Sequence, residues 1–551
     1  MAGKVFYPLT SPQLSIWYTE KMYPGISISN VAGTLRINQQ IDFKLMEQAI
    51  NYFIKHNDGI RLRICLDENG NPRQYVSDYI YETIEFMDFS AYAQPEKALY
   101  EWDSIETRKP FELLDSALYR FVIVKIHEND WGVYFNNHHI ISDAWSMSLI
   151  ASSVLNYYNK IKAGTEDVLC PPSPSYTDYI QCEEKYFSSP RFIKDEAYWS
   201  QIFESAPDCT VLKRRIANIK STQCKRKTFV APDKFTTLLK RYCDENKISP
   251  FPLFLAALSM YIYRITDKED IVIGTPILNR LNINEKKTFG MFISTIPLRI
   301  KITGASSFMD LCSDLLQLLS SSFKHQRYPY EKILSHVREK HGISENLYDI
   351  VLSYQNSRFA REDTLSRTRW HFCGHQSNSL TIHINDRDND GILIIDYDYQ
   401  TDLYHEKEIE FLHKHMLNLL WHALDNPQKE ICRTEMLLEN EKKKVLGTFN
   451  KTYKEYPRNK LIQQLFEEQV LKNPDQTALC FEDTAITYAE LNHRINQLAW
   501  ALRKKLTEPN QLVGIMARRS IEMIVGIFAI IKAGGAYVPI DPEYPSDRIR
   551  L

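Results

Sequence analysis

Trp131, Val133 and Phe135 alternate with Gly132, Tyr134 and Asn136, the period-two pattern of a strand with one buried face. From Asp143 to Lys160 the period changes, and Trp145, Leu149, Ile150, Val154 and Tyr158 recur at helical spacing. His138 and His139 stand between the two periods, at a strand-to-helix turn where side chains can project into a cleft. The same alternation runs along most of the chain, which favours layered α/β architecture over a helical bundle or an all-β sandwich. Lys44 to His56 has the apolar spacing of an amphipathic helix. Gly59–Ile64 and Pro72–Val76 flank the turn residues Asp67-Glu-Asn-Gly-Asn and predict a hairpin. Further on come a helix from Phe251 to Tyr263, a strand at Ile271–Ile273 and an extended segment from Phe289 to Ile300. A second hairpin is expected from Leu380–Ile384 and Ile392–Tyr399 around Asn385–Gly391, then a helix from Glu406 to Leu424.

A chain of 551 residues exceeds what one hydrophobic core supports, so it must divide. The proline-rich stretch Leu169–Ser175 marks the first division, and Asn426-Pro-Gln with the charged run Glu439–Lys444 marks the second. These signals give lobes at 1–175 and 176–435, a linker at 436–460 and a last unit at 461–551. With 67 basic and 69 acidic side chains, the chain has no broad positive field for nucleic acid or anionic lipid. The ten cysteines include no C-x-x-C pair, so reduced thiols are expected. The apolar run Met523–Ile531 is far shorter than the ~20 residues a membrane span needs, and the N-terminus carries no signal-peptide pattern. A soluble cytoplasmic enzyme, with no membrane span and no nucleic-acid partner, is the expectation.

The segment Asn136-Asn-His-His-Ile-Ile-Ser-Asp-Ala-Trp-Ser146 resembles the His-His-x-x-x-Asp-Gly signature of the condensation domains of nonribosomal peptide synthetases. Ser11-Pro-Gln-Leu-Ser-Ile-Trp17, Arg61-Leu-Arg63, Tyr176-Thr-Asp-Tyr179, Ile273–Arg280, Phe289–Thr295 and His325–Glu331 are similar to further motifs of that family, in its order. The resemblance implies two chloramphenicol-acetyltransferase-like lobes in a V-shaped pseudo-dimer, with the histidines at the floor of a tunnel. It implies amide-bond formation centred on the motif residues His138, His139 and Asp143. By that resemblance His139 is expected to act on the reacting amine as general base or as a positioning group. Asp143 is expected to turn away from substrate and pair with Arg280, and His138 to pack and set the turn.

Ser142 is expected to cap the following helix, while Ala144, Trp145, Ser294 and Gln355 are expected along the tunnel. Ala144 replaces the signature's glycine, which fits if that position has helical dihedrals. The chemistry asks for little acid-base power. An α-amine with a pKa near 7.7 to 8.0 is partly neutral at cytosolic pH, and a thioester is already activated. Ser142 and Ser146 lack the Gly-x-Ser-x-Gly elbow of a hydrolase. His371, Cys373 and His375 alternate and could share a strand face around a metal, but no fourth ligand is evident and the family resembled uses none.

Ile486-Thr-Tyr-Ala-Glu-Leu491 and Ile531–Asp541 resemble the first motifs of an ANL-type amino-acid adenylation domain. The phosphate loop of that family and the serine of a carrier domain do not appear before Leu551, so neither adenylation nor substrate carriage is expected of this stretch. No bound cofactor is expected. Substrates would arrive on coenzyme A and on the phosphopantetheine of carrier proteins, with the rest of a longer synthetase as partner. Phe6–Gln13, Ile16–Lys21 and Gly290–Arg299 look most like starter-type condensation domains of lipopeptide synthetases, which transfer a fatty or 3-hydroxy-fatty acyl group from coenzyme A. The alternatives are an elongation domain fed by an upstream peptidyl carrier and a non-catalytic recruitment platform. The intact His138, His139, Asp143 and Arg280 argue against the platform. Heterocyclisation relatives carry Asp in place of His, and an epimerisation domain would follow a carrier.

Overall fold

The computed structural model describes residues 4–165, 173–208, 210–213, 221–355, 366–386 and 392–550. It falls into two compact units, Met1–Lys442 and Lys443–Leu551.

The first unit is built on two large sheets. One has the strand order Ser366–His371, Asn30–Ile37, Asp130–His138, Tyr119–His127, Glu85–Asp88. Helices Phe43–His56 and Ala144–Lys162 pack over one face, where Val133 and Phe135 meet Met46, Ile50, Phe53, Ile150 and Val154. Helix Pro95–Thr107 covers part of the other face, where Tyr134 meets Val122, Val124 and Leu99. The strand into the histidines is therefore buried on both faces, not one: its polar-looking partners Gly132, Tyr134 and Asn136 are buried as well.

The second sheet runs Ser294–Lys301, Asp270–Ile277, Ile350–Gln355, Leu380–Asn385, Ile394–Gln400, Cys224–Val230. Helices Pro250–Thr266, Phe308–Lys324 and Glu406–Asp425 pack against it in one continuous core. The expected second hairpin is present, with Leu380 opposite Tyr399 and Asn385 opposite Ile394, although residues 387–391 of its turn lie outside the described residues. Residues 169–172 of the proline-rich stretch also lie outside them.

Chain order and lobe membership part company at two places. Strand Ser366–His371 comes from the second half of the chain, yet it pairs antiparallel with Asn30–Ile37 and completes the first sheet. Tyr176, Tyr179, Phe289 and Phe292, all beyond the division at 176, belong to the first lobe's core. Two extended segments are shorter than the pattern predicts. Gly59–Arg61 is a 3₁₀ turn and the strand begins at Leu62; residues 289–293 are not strand, because the amides of Phe292 and Ile293 donate to a side chain instead of to a neighbouring strand.

The second unit holds an antiparallel pair, Thr477–Phe481 with Thr484–Thr487, and a parallel pair, Leu512–Met516 with Ala536–Ile540, joined by helix Ile521–Lys532. Its core is small, comprising Ile486, Leu491, Ile495, Val525 and Ala529 with few others, and it leaves Leu471, Trp500 and Leu512 exposed. Among the described residues no single helix is long and apolar enough to cross a membrane; one pair passes together, Asp233–Asn246 with Pro250–Thr266, and it is bent by 115°.

The contact between the first lobe and the 289–293 segment is close enough to demand glycine. A Cβ on Gly290 would lie 2.0 Å from Cδ2 and 2.3 Å from Cε2 of Tyr176, whose hydroxyl donates to the Met291 carbonyl at 2.6 Å. Tyr176 is fully buried and cannot yield. Gly290→Ala should therefore destabilise the first unit by about 1 to 3 kcal/mol, the usual range for overpacking, measured as a lower denaturant midpoint; an unchanged midpoint would contradict this packing.

Candidate active site

Backbone hydrogen bonds fix the histidine turn. The His138 amide donates to the Leu118 carbonyl at 2.9 Å and the His139 amide to Ser29 at 2.7 Å, so both ends of the dipeptide are held by the first sheet and its flank. The helix then starts at Ala144, with Asp143 as its N-cap in an extended conformation (φ −131°) and Asp143 Oδ1 accepting the Ser146 amide at 2.7 Å. The cap is thus Asp143 and not Ser142, because the carboxylate stands at the residue from which it can reach the third amide of the helix. Ser142 Oγ lies instead 3.3 Å from Met147 Sδ. Ala144 takes the first helical position and is not among the residues with positive φ, so it replaces the signature glycine without strain.

Asp143 does more than cap. Arg280 Nη2 donates to both its oxygens at 3.0 Å, and neither side chain has any exposed surface. Asp143 Oδ2 also accepts the amides of Phe292 at 3.0 Å and Ile293 at 3.3 Å. Arg280 in turn donates to the carbonyls of Glu285 and Thr288 at 2.5 Å, to Gly290 at 3.1 Å and to Ser146 Oγ at 2.9 Å, while its guanidinium lies 3.9 Å from the centre of the Phe292 ring. Ser146 is used up in this network, donating to the Gly290 carbonyl at 2.7 Å. Two buried charges with nearly every lone pair and proton engaged form the arrangement in which a buried pair can hold structure instead of weakening it.

With Asp143 turned into this network, His139 is left at the edge of a cavity of about 900 Å³. The residue is half-buried; its Nδ1 is buried and has no hydrogen-bond partner among the described residues. Burial holds the imidazole below the ordinary histidine pKa, against the upward pull of nearby backbone carbonyls and the Asp143 charge. The ring is therefore neutral at neutral pH and can accept a proton. His138 has a different setting. It is buried outside the cavity wall, its Nδ1 accepts the Ile140 amide at 3.1 Å, its Nε2 lies 3.3 Å from Glu20 Oε1, and its ring meets Phe111 edge-on. The second histidine alone faces the space where a substrate could sit.

Of the residues expected along the tunnel, Ala144 and Gln355 do line the cavity. Trp145 and Ser294 do not: the Trp145 indole donates to the Lys286 carbonyl at 2.8 Å, and Ser294 opens a strand opposite Ile277. His371, Cys373 and His375 all reach the cavity wall, but the strand ends at His371, so they do not share a strand face. His371 Nε2 bonds Thr34 Oγ1 at 2.8 Å, His375 Nδ1 bonds Thr222 Oγ1 at 3.0 Å, and no group of three metal-type ligands forms among the described residues. Much of the wall comes from residues that carry no sequence signal, including Tyr100, Asp103, Thr368 and Trp370, because strand Ser366–His371 and helix Pro95–Thr107 meet only in the fold.

Removing one member of the Asp143–Arg280 pair leaves a buried charge without its partner. Arg280→Met and Asp143→Asn should each cost about 3 to 5 kcal/mol, and the double variant should lose clearly less than their sum in a denaturation cycle. Additive losses would show that the two side chains do not act as a pair.

Comparison with known proteins places this geometry. The condensation domain family matches residues 4–446 and the AMP-binding enzyme family residues 466–551. Surfactin synthase subunit 1 of Bacillus subtilis (strain 168) is 37% identical over 99% of the chain, and bacitracin synthase 2 of Bacillus licheniformis 32% over 99%. The chain spans only 15% and 20% of those two proteins. The fold matches a mutant of the starter condensation domain of rhizomide synthetase in complex with C8-CoA, with a TM-score of 0.69 at 21% identity over 79% of this chain and 98% of that one. It also matches the first condensation domain of the calcium-dependent antibiotic synthetase in complex with a substrate analogue, with a TM-score of 0.70 at 19% identity over 79% of this chain and 100% of that one. The two sheets are thus chloramphenicol-acetyltransferase-like lobes meeting around the His139 turn, and the chain belongs to the condensation-domain family of nonribosomal peptide synthetases, with the start of an AMP-binding domain after it in sequence.

Proposed function

We propose that the chain N-acylates the first carrier-bound amino acid of a lipopeptide, taking a fatty or 3-hydroxy-fatty acyl group from coenzyme A. The observation that carries this reading is His139: a neutral, half-buried imidazole on the wall of a cavity of about 900 Å³ within a condensation fold. That volume lies within the roughly 300 to 1,000 Å³ of small-molecule sites and suits a thioester with its acyl chain. The likeness over nearly the whole chain to the first surfactin synthase subunit supports the starter assignment.

In this reading the amine nitrogen attacks the thioester carbonyl. The C–N bond forms, the C–S bond breaks, the amine gives up a proton and coenzyme A leaves as the thiol. His139 holds the amine in line through a hydrogen bond to its ring nitrogen, or takes the proton and passes it to the departing sulfur. Positioning alone can supply much of the rate, with effective molarities on the order of 10⁵ M or more. Asp143 and Arg280 are positioning residues, since their side chains are spent on one another and on the 289–293 segment. The chain needs no resident cofactor for this chemistry. The reaction takes place in the cytoplasm, with the remainder of the synthetase supplying the acceptor carrier.

The test is to offer the purified chain an acyl-CoA and a loaded aminoacyl carrier protein and to follow acyl-aminoacyl carrier by mass. His139→Ala should lower the yield per unit time by orders of magnitude while the protein stays folded; near-normal turnover would reject the assignment. Failure with acyl-CoA of several chain lengths, together with product from a peptidyl carrier, would instead identify an elongation domain. The pH profile provides a second check. Because burial lowers the His139 pKa, its protonation should weaken the reaction only below about pH 6.5, and the limb above that should belong to the substrate amine near 7.7 to 8.0. Acceptors with less basic amines should move that limb down; a limb fixed above pH 6.5 whatever the amine would contradict the assignment.

A further inference from the structure

Helix Pro95–Thr107 brings a carboxyl group to the same cavity. Asp103 is 2% exposed and lines the wall that also holds His139. Its Oδ2 is buried and has no hydrogen-bond partner among the described residues. The imidazole of His371 approaches at ion-pair distance, with Nδ1 3.5 Å from Asp103 Oδ2, too long for a good hydrogen bond, while its Nε2 bonds Thr34 Oγ1. The Arg369 charge favours the ionised form of the carboxyl, yet no ion pair joins it to Asp103 among the described residues, and its guanidinium lies 4.8 Å from the centre of the Tyr100 ring. A buried carboxyl oxygen left without a hydrogen bond is unfavourable, and such atoms are rare in folded proteins unless something else completes them.

The charges in this part of the wall point to the class of group that would do so. Burial pushes the Asp103 carboxyl up to about 7 and the His371 ring down to about 3, so the carboxyl takes up a proton far more readily than an exposed aspartate and the ring is neutral. Arg108 and Arg369 on the same wall disfavour a cation, and the carboxyl disfavours an anion. What remains is an uncharged group able to donate or accept a hydrogen bond. Ser104, next to it in the chain, also lines the wall.

We propose that Asp103 is a substrate-binding residue whose carboxyl hydrogen-bonds an uncharged hydroxyl or amide on the thioester-borne donor that enters the His139 cavity. This rests on the reading of that cavity as an acylation site. The group has two possible sources, a hydroxyl on the acyl chain or the hydroxyl and outer amide of the pantetheine arm, which N-acetylcysteamine lacks, and substrates separate them.

The experiment measures kcat and KM for the full chain and its Asp103→Asn and Asp103→Leu variants with four donors. These are octanoyl-CoA, 3-hydroxyoctanoyl-CoA and the N-acetylcysteamine thioesters of the same two acids, with an aminoacyl carrier as acceptor. A preference of about tenfold in kcat/KM, the worth of one hydrogen bond to a buried polar group, is expected of the wild type, either for the hydroxylated acid or for the coenzyme A thioester. Asp103→Leu should abolish that preference and leave the disfavoured donor within about threefold of wild type, whereas Asp103→Asn should keep most of it. Because no hydrogen bond ends on its Oδ2, Asp103→Leu should stay folded and melt close to wild type.

Wild-type turnover without either preference overturns the proposal, as does a preference that survives Asp103→Leu. Equal loss with all four donors, or a variant that fails to fold, makes Asp103 structural and overturns it too. Absence of product from the wild type with every donor overturns the acylation reading itself, and the proposal falls with it.

Discussion

The buried pair of Asp143 and Arg280 is the interaction on which the site depends. One partner caps the helix that follows the histidine turn in the first lobe, and the other comes from the second half of the chain. Asp143 also gathers the amides of Phe292 and Ile293, and Arg280 gathers three carbonyls between Glu285 and Gly290. A pair so buried offers little stability over an apolar replacement, but it specifies geometry, because few other arrangements satisfy both charges. Here the geometry it specifies is the register between the His139 turn and the segment from the other lobe.

The lobes are bound together in other ways that point to the same place. Strand Ser366–His371 crosses to complete the first sheet, and Tyr176, Phe289 and Phe292 fill the first lobe's core. The cavity lies where these exchanges occur, so its wall draws on residues from Asn30 to Glu406. A reaction between two separately delivered thioesters needs a fixed meeting point more than it needs strong acid or base. A half-buried, neutral histidine on a turn held by backbone hydrogen bonds to the first sheet and its flank suits that requirement.

What could be read from the sequence was local. The change from period two to helical spacing around His138-His139 located the turn, and the ordered motifs carried the pairing of Asp143 with Arg280. Where the sequence misled, a tertiary contact had replaced a local rule. Tyr134 reads as the exposed side of a strand, but a second layer of helix buries it. Ser142 is a good cap by type, yet Asp143 sits one residue nearer the helix and takes the amide. Trp145 follows the motif directly and still turns to the Lys286 carbonyl instead of the cavity. Asp103 could not have been found, since nothing in Asp103-Ser-Ile-Glu distinguishes it from the solvated face of an ordinary helix.

The most direct measurement is a crystal structure of the chain soaked with a non-hydrolysable thioether analogue of an acyl-CoA. The account predicts the sulfur and the adjoining carbon inside the cavity, within about 4 Å of the His139 ring, with the Asp143–Arg280 pair undisturbed. An analogue bound outside the cavity, or bound within it beyond reach of His139, would contradict the account.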